Sequence, residues 1–171
     1  MRYIVRKVVM DLDMVQAYND LERVVAAYGH RIQSLAYIYL KSRADAEDIA
    51  QEVFLAYFRR KFRFASAEKE KSWLMTVTAN KCRSLLRAKY RQELPLTEDM
   101  PSLPKEENTV LMAVMSLDEK YRLPIHLYYY EGYSLAEIGK IMKVSPGTVG
   151  SWLSRGREKL KSILKEETIY G

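Results

Sequence analysis

The sequence SLAEIGKIMKVSPGTVGSWLSRGREKL, residues 134–160, contains two helix starts separated by a tight turn. Ser134 and Glu137 have the spacing of a capping box, in which the two side chains satisfy free amides at a helix start. Ser145 suits the N-cap of a following helix and Pro146 suits its first position. The spacing therefore predicts a short helix that ends near Lys143, a turn, and a second helix that continues beyond residue 160.

The second of these helices has a face suited to a DNA groove. Its apolar residues Val149, Leu153 and Leu160 are spaced to face a core, which leaves short polar and basic side chains outside. Such side chains read base edges when a helix enters the major groove, and flanking cations meet phosphates. A helical hairpin with a solvated basic face is the alternative. We predict that the DNA contacts are Thr148, Ser151, Ser154, Arg155, Arg157 and Lys159.

Charge is unevenly distributed along the 171 residues, whose net charge is +6. Residues 71–91 contain six basic residues and no acidic one, and residues 134–165 contain seven basic against two acidic. Residues 92–107 carry five acidic residues against Lys105. Clustered positive charge indicates a polyanionic partner. Two basic surfaces are therefore expected on either side of an acidic connector.

Helical periodicity runs through the rest of the chain. Apolar residues recur every three or four positions over residues 14–39, and acidic residues favour a second helix start near Asp45. A third helix is predicted over Glu70–Tyr90, with Trp73 and Cys82 on its apolar side. Further helices are predicted over Val110–Met115 and Tyr121–Tyr130. The three tyrosines Tyr128-Tyr129-Tyr130 would point in different directions around the Tyr121–Tyr130 helix. We therefore favour a mixture of core and surface positions for them over a platform on which bases stack.

Three prolines and the acidic cluster interrupt this periodicity over residues 92–107, as in a linker. We predict an all-α fold of two small helical domains, 14–91 and 108–171, joined by this flexible linker. Residues 1–13 are predicted to be an N-terminal extension, either strand-like or the product of an over-long start assignment.

Several function classes are disfavoured by the sequence. Cys82 is the only cysteine, which excludes an intrachain disulfide and fits a reducing, cytoplasmic setting. His30 and His126 lack partners at metal-ligand spacing, so we expect neither metal nor cofactor. Cys82 fits a small core residue better than a redox sensor. No phosphate loop, nucleophile elbow or catalytic carboxylate pair is present, and no apolar run is long enough for a membrane span.

Three stretches in order resemble the sigma factors of bacterial RNA polymerase, specifically the small extracytoplasmic function group. DAEDIAQEVFLAYFRR at 45–60 resembles the family's polymerase-docking helix, and KSWLMTVTANKCRSLLRAKYR at 71–91 resembles its promoter-melting, minus-ten-reading segment. Residues 117–161 resemble its minus-thirty-five-reading domain. The resemblance covers about residues 11–165. It implies a non-enzymatic subunit, built from sigma regions 2 and 4, that directs promoter-specific transcription initiation.

The resemblance also implies partners and contacts. The clamp helices of the largest polymerase subunit would dock on Asp48, Gln51, Glu52 and Phe54, although a solvated helix face with one buried Phe is the alternative. Asn80 would contact an unpaired minus-ten base, and the phosphates would be held by Lys81, Arg83, Arg87 and Lys89. Trp73 lies where the family has a tryptophan, and we favour a position in the hydrophobic core for it. The flap of the second-largest subunit and an anti-sigma factor are the other expected partners.

The chain departs from the family pattern in its second half. Gly150 and Trp152 replace basic residues that many members carry in the recognition helix, and Gly139 and Gly156 replace alanines. Glycine in a helix costs about 1 kcal/mol relative to alanine, so a less rigid recognition helix, or a packing role for Trp152, is expected.

An autonomous helix-turn-helix regulator, with the first three helices used for dimerisation or ligand sensing, is the alternative function. The basic, aromatic-containing third helix argues against it. An enzyme of nucleic-acid metabolism is a third alternative, but the acid, base or metal-ligating residues that it needs are missing.

Overall fold

The computed structural model describes the backbone over residues 2–91 and 105–170 and the side chains over residues 14–91 and 110–165. Seven helices follow one another in the described residues, and no strand is present there. They are α1 (Arg2–Leu40), α2 (Arg43–Phe58), α3 (Ala67–Arg91), α4 (Lys105–Ser116), α5 (Glu119–Ile125), α6 (Leu135–Met142) and α7 (Pro146–Tyr170). The predicted all-α fold is confirmed.

The first three helices form one bundle. Helix α1 ends where Lys41 adopts a left-handed conformation with φ of 57°. Ser42 then caps α2, because its hydroxyl accepts a hydrogen bond from the Asp45 amide at 3.3 Å. Ser66 caps α3 in the same way through the Lys69 amide. The three helices enclose a core that includes fully buried Ile32, Leu35, Val53, Tyr57, Leu74 and Met75.

The N-terminal end of the chain differs from the expectation of a strand-like extension. Residues 2–13 belong to α1, which is continuous from Arg2 to Leu40. They contain neither glycine nor proline, and a helix that has already been nucleated extends at little cost. The predicted linker, residues 92–107, lies mostly outside the described residues. Its last three residues differ from the expectation because α4 begins at Lys105.

Helices α4 to α7 form the second half, and its helix-turn-helix agrees with the sequence in detail. Both hydrogen bonds of the capping box between Ser134 and Glu137 are present. Lys143, at φ of 60°, ends α6. The Ser145 hydroxyl accepts a hydrogen bond from the Thr148 amide at 3.1 Å, and Pro146 is the first residue of α7. The predicted helix, turn and second helix are confirmed.

Helix α5 continues as a π-helical turn, His126–Tyr130, which the periodicity did not predict. Pro124 lies inside α5, and proline cannot donate the backbone hydrogen bond that an α-helix needs there. Tyr128, Tyr129 and Tyr130 are all exposed, so the expected mixture of core and surface positions is wrong for this run. Gly132, at φ of 73°, ends the turn.

Close packing explains two of the unusual glycines. A Cβ at Gly139 would lie 2.7 Å from the Val144 carbonyl oxygen, and a Cβ at Gly156 would lie 2.7 Å from Ile125 Cδ1. Gly150 is partly covered, and a Cβ there would lie 3.2 Å from Leu135. Trp152 packs against the core, as expected. Gly139 and Gly156 therefore permit close contacts with the turn and with α5, respectively.

The two halves pack against each other through α3 with α6 and α1 with α5. Arg122 on α5 is 4% exposed, and its guanidinium donates to the Ile38 carbonyl at 2.6 Å and to the Tyr39 carbonyl at 3.3 Å, both on α1. It also donates to the Leu117 carbonyl at 2.7 Å within its own half. One buried side chain thus joins the ends of α1 and α4.

Candidate polymerase and nucleic-acid interfaces

Helix α2 exposes an acidic and polar face. Asp48, Gln51 and Glu52 are exposed, and Leu55, one turn further on and 50% exposed, extends the same face. Phe54 is half-buried instead, and its ring lies 3.8 Å from the Cβ position of Gly29 on α1. Leu55 is therefore the apolar residue that this face presents. Sequence analysis missed it, although its spacing of seven residues from Asp48 places it on the same side of a helix.

The basic residues of α3 are divided among three environments. Asn80, Ser84 and Arg87 follow Trp73 and Thr76 along the helix side that faces away from the core. Lys81 and Lys89 lie on the side facing α2, where they form ion pairs with Glu52 at 2.6 Å and with Asp45 at 2.5 Å. Arg83 lies on the side facing α6. The sequence placed these cations together, and the structure does not.

Arg83 is engaged by groups from both halves. Its Nε donates to the Tyr39 hydroxyl on α1 at 3.1 Å, and its Nη2 donates to the Ile141 carbonyl on α6. Burial and the nearby Glu119 carboxylate raise the pKa of Tyr39, so this hydroxyl stays neutral at physiological pH. A residue predicted to hold DNA phosphate is thus bonded to the helix-turn-helix half.

An aromatic cluster lies beside the outward side of α3. The rings of Tyr57, Phe64 and Trp73 pack together, and Phe62 meets Trp73 edge to face with centroids 6.0 Å apart. Phe62 is itself 50% exposed. Trp73 is half-buried against the core, which agrees with the core role favoured for it.

Residues 59–64, Arg-Arg-Lys-Phe-Arg-Phe, alternate cations with aromatic rings. Arg59, Lys61 and Arg63 are exposed around Phe62, whereas the guanidinium of Arg60 lies 3.5 Å from the centre of the Tyr57 ring. Interleaved cations and aromatic rings are typical of surfaces that bind single-stranded nucleic acid. Sequence analysis did not single out this segment, although the alternation is visible in the sequence.

The cluster rests on a partly buried ion pair between Arg23 and Glu70. Glu70 accepts hydrogen bonds from Arg23 at 2.7 Å and from the Tyr57 hydroxyl at 2.6 Å. Burial pushes the pKa of Glu70 upward, but the hydrogen bonds from Arg23 and Tyr57 outweigh it and hold the pKa below its usual value. Burial, together with Glu70, raises the pKa of Tyr57 to about 12. This network fixes the ring of Tyr57, against which Phe64 and Trp73 pack.

Helix α7 presents its predicted DNA contacts over more than one side. Ser151, Ser154 and Arg155 are exposed on the side opposite the buried Val149 and Leu153, and Thr148 lies at the edge of this side. Arg157 lies on one flank beside the Tyr129 hydroxyl, at 3.5 Å. Lys159 lies on the other flank, 5.6 Å from the centre of the Tyr121 ring. The first four residues form one surface, which the two outer cations border.

A groove of about 950 Å³ runs between α4, the π-helical turn and the end of α7. Its wall is apolar, and among the residues that line it in the described part of the chain the only charged ones are cations. The lining residues are Val110, Val114, Ile125, Tyr129, Tyr130, Arg157, Leu160, Lys161, Leu164 and Lys165.

Neither a metal site nor a membrane span is found in the part of the chain that the structure describes. No group of three or more His, Cys, Asp or Glu residues there could hold a metal ion. No helix there is long and apolar enough to cross a membrane. Cys82 is fully buried in the core, and burial raises the pKa of its thiol to about 12, which favours the structural role expected for it.

Two family models match this chain in the order of its two halves. The model of sigma-70 region 2 matches residues 24–92, and the model of sigma-70 region 4 matches residues 107–160. The sigma factor SigW of Bacillus subtilis, of the extracytoplasmic function group, is 30% identical over 164 residues, which cover 84% of this chain and 88% of SigW.

The chain belongs to the extracytoplasmic function sigma factors of RNA polymerase. The sigma factor CarQ of Myxococcus xanthus is another relative, 28% identical over 88% of this chain and 92% of its own length. As a sigma factor, the protein directs promoter-specific transcription initiation. The predicted family and function are confirmed, whereas the domain boundaries 14–91 and 108–171 and the site residues stay predictions.

Solved structures share the fold of this sigma factor. The sigma factor RpoE of Bartonella quintana, in complex with the anti-sigma factor NepR, matches with a TM-score of 0.73 and 22% identity over 85% of this chain and 97% of that one. CnrH, in complex with the cytosolic domain of CnrY, matches with a TM-score of 0.62 and 23% identity over 90% of this chain and 95% of that one. At these identities the likeness is one of fold.

Proposed function

We propose that the first half of this sigma factor docks on the polymerase clamp through α2 and holds the melted minus-ten strand along α3. The observation that carries this proposal is the adjacency of two exposed surfaces, joined by the ion pair between Glu52 and Lys81. One surface, on α2, is acidic and polar with an apolar end at Leu55. The other, on α3 and residues 59–64, combines cations, aromatic rings and an amide.

The minus-ten surface suits an unpaired strand. Phe62 and Trp73 offer ring faces and edges near the start of the outward side of α3, Asn80 offers an amide in its middle, and Arg87 offers a cation towards its end. Stacking of a base on an aromatic ring is worth about 1–3 kcal/mol, and it offsets the few kcal/mol needed to take that base out of the duplex. Asn80 can then pair with the exposed edge of a base.

The second half is proposed to read the minus-thirty-five duplex. Thr148, Ser151, Ser154 and Arg155 would face the major groove, while Arg157 and Lys159 on the flanks would meet phosphates on either side. The adjacent apolar groove is proposed to bind the flap of the second-largest polymerase subunit. Its cationic rim, formed by Arg157, Lys161 and Lys165, fits an apolar segment with acidic flanks.

We further propose that the protein catalyses no reaction itself, acts in the cytoplasm and is restrained by an anti-sigma factor. Sigma factors are non-enzymatic regulators. In the solved structures named above, the sigma factor RpoE is bound to an anti-sigma factor, and CnrH is bound to the cytosolic domain of CnrY.

Run-off transcription with core polymerase and a genomic template library tests the proposed function. We expect promoter-dependent transcripts only when the chain is added. Leu55→Asp should reduce binding to core polymerase at least tenfold, because it places a charge in the apolar end of the α2 face. Gln33→Asp, exposed on α1 outside both proposed surfaces, adds the same charge and is the control. Failure of the wild-type chain to bind core polymerase at low salt would contradict the proposal.

A further inference from the structure

Helix α1 begins well before the bundle that it helps to form. Leu21 is the first of its described side chains that packs against the core, and Val24 is the first that is fully buried. The helix starts at Arg2, so Arg2–Asn19 adds about 27 Å of helix ahead of that point. Most of the stability of a helix in a protein comes from packing of an apolar face. The segment Arg2–Asn19, called the extension below, therefore needs a packing partner.

The extension exposes apolar side chains over the part in which side chains are described. Met14 is 59% exposed, and Val15 and Tyr18 are each 57% exposed. Between residues 14 and 19 only Ala17 is partly covered. None of the other described helices therefore covers this stretch. Single exposed apolar residues are common, whereas a group of them on one short segment indicates an interaction site.

The sequence continues the apolar pattern towards the start of α1. Four apolar residues are separated in turn by three, four and three positions, namely Val5, Val8, Leu12 and Val15. This is the spacing of the contact positions in a coiled coil of two helices. The next position in the pattern is the polar Asn19, two residues before Leu21 joins the core. The apolar pattern therefore ends where the bundle begins.

Charge is divided between the two halves of the extension. Residues 1–10 contain three basic residues and no acidic one, whereas residues 11–20 contain three acidic residues and no basic one. Two copies that run in opposite directions would place the basic half of each beside the acidic half of the other, whereas a parallel pair would bring like charges together. The acidic half also disfavours an anionic lipid surface, because helices that lie on such surfaces have a basic polar face.

We propose that two copies of the sigma factor pair through the extension as an antiparallel coiled coil. When Val8 of one copy is opposite Leu12 of the other, Val5 is opposite Val15, so each position of the apolar pattern meets another. The partner helix then starts close to the point at which the bundle of the first copy begins. The two bundles lie at opposite ends of the pair, where they do not collide. The pairing requires none of the proposed DNA contacts.

Sedimentation equilibrium of the full chain, without polymerase, tests the pairing. The mass should rise with concentration from the 20.0 kDa of one chain towards twice that value, with a dissociation constant of about 1–100 µM. Val15→Asp should weaken the dimer roughly tenfold or more, because a charge in the apolar contact must lose its water. Leu55→Asp makes the same change at an exposed residue of α2 and should leave the dimer within about twofold of wild type.

Disulfide trapping tests the direction of the two helices. Cys82, the only cysteine of the chain, is fully buried, so cysteines introduced in the extension react without competition from it. In the antiparallel pair, a mixture of Val5→Cys and Val15→Cys chains should form a disulfide-linked dimer. Val15→Cys alone should not, because two copies of this position lie at opposite ends of the pair.

The near-ultraviolet circular dichroism of the aromatic cluster should be the same in Val15→Asp and wild type, which distinguishes loss of pairing from misfolding. A wild-type chain that stays monomeric up to about 200 µM would overturn the proposal, as would equal weakening by Val15→Asp and Leu55→Asp. Disulfide formation by Val15→Cys alone would overturn the antiparallel direction. A monomer that binds phosphatidylglycerol vesicles would replace the second copy with a lipid surface. None of these measurements includes polymerase, so their failure is separate from failure of the proposed function.

Discussion

Asn80 shows how one side chain separates two steps of initiation. It lies on the outward side of α3 between Trp73 and Arg87, away from the α2 face that contains Asp48 and Gln51. Asn80→Ala should therefore leave binding to core polymerase within about twofold of wild type. It should slow promoter opening roughly tenfold, because a base-edge contact worth about 1–3 kcal/mol is lost. Fluorescence anisotropy with core polymerase and permanganate footprinting measure the two steps, and an equal loss in both would contradict this role.

Gly139 shows how one absent side chain positions the helix-turn-helix. A Cβ at this position would lie 2.7 Å from the Val144 carbonyl oxygen, which belongs to the turn and cannot rotate away. The cost of this clash should exceed the roughly 1 kcal/mol that alanine gains in helix propensity. Gly139→Ala should therefore destabilise the fold by about 1–3 kcal/mol in net terms.

Thermal unfolding measures this effect. At 2–4 °C per kcal/mol, the melting temperature of a chain of this size should fall by about 2–12 °C. Gly147→Ala is the matched control, since the nearest atom to its Cβ would be Ser145 Oγ at 3.9 Å. A higher melting temperature in Gly139→Ala would show that the turn adjusts.

At the scale of helices, Glu70 joins the three members of the first bundle. It lies on α3 and accepts hydrogen bonds from Arg23 on α1 and Tyr57 on α2. Glu70→Gln should lower the free energy of unfolding by about 2 kcal/mol near neutral pH, because hydrogen bonds to a charged group are lost. Chemical denaturation at pH 7 measures the loss.

The same interaction should make stability depend on pH. The folded pKa of Glu70 lies below the value of an unperturbed glutamate, so its contribution is fully present above about pH 4.3 and is lost as the pH falls through the folded pKa. The difference in stability between wild type and Glu70→Gln should therefore shrink from pH 7 to pH 3. A constant difference over that range would contradict the linkage.

For the whole molecule, Arg122 is a buried side chain that joins the two halves. Its buried guanidinium donates to carbonyls at the ends of α1 and α4. Arg122→Met keeps much of the volume but leaves these carbonyls without donors, and it should destabilise the chain by about 3 kcal/mol, which corresponds to roughly 6–12 °C in melting temperature. Lys120→Met, exposed on the same helix, is the control and should melt within about 2 °C of wild type.

Local sequence signals predicted the helices of this chain because the forces that start and stop a helix act over a few residues. Ser134, Glu137, Ser145 and Pro146 predicted the turn of the helix-turn-helix, and both caps are present. Pro124 was the visible signal for the irregular turn after α5. Which side chains a π-helical turn exposes depends on how the turn packs in the fold, so the exposure of Tyr128 was not predicted.

The candidate site was predictable as a set of residues but not as an arrangement. The cations clustered over residues 71–91, on a predicted helix whose other side is apolar, already indicated a nucleic-acid surface on α3. The partners of those cations lie far away in the chain: Lys81 pairs across 29 residues, Lys89 across 44, and Arg83 across 58. Partner choice over such separations depends on which helices pack together, which no local pattern specifies.

The sequence by itself determined the helical fold, the helix-turn-helix and the family, because capping, periodicity and the order of motifs are local properties of the chain. Only the tertiary structure decided that Leu55 replaces Phe54 on the exposed face of α2 and that Arg83 is bonded to the second half. It also decided that Arg122 joins the two halves through carbonyls of α1. Burial and long-range ion pairs arise only when distant segments meet, and they set which charges are available to a partner.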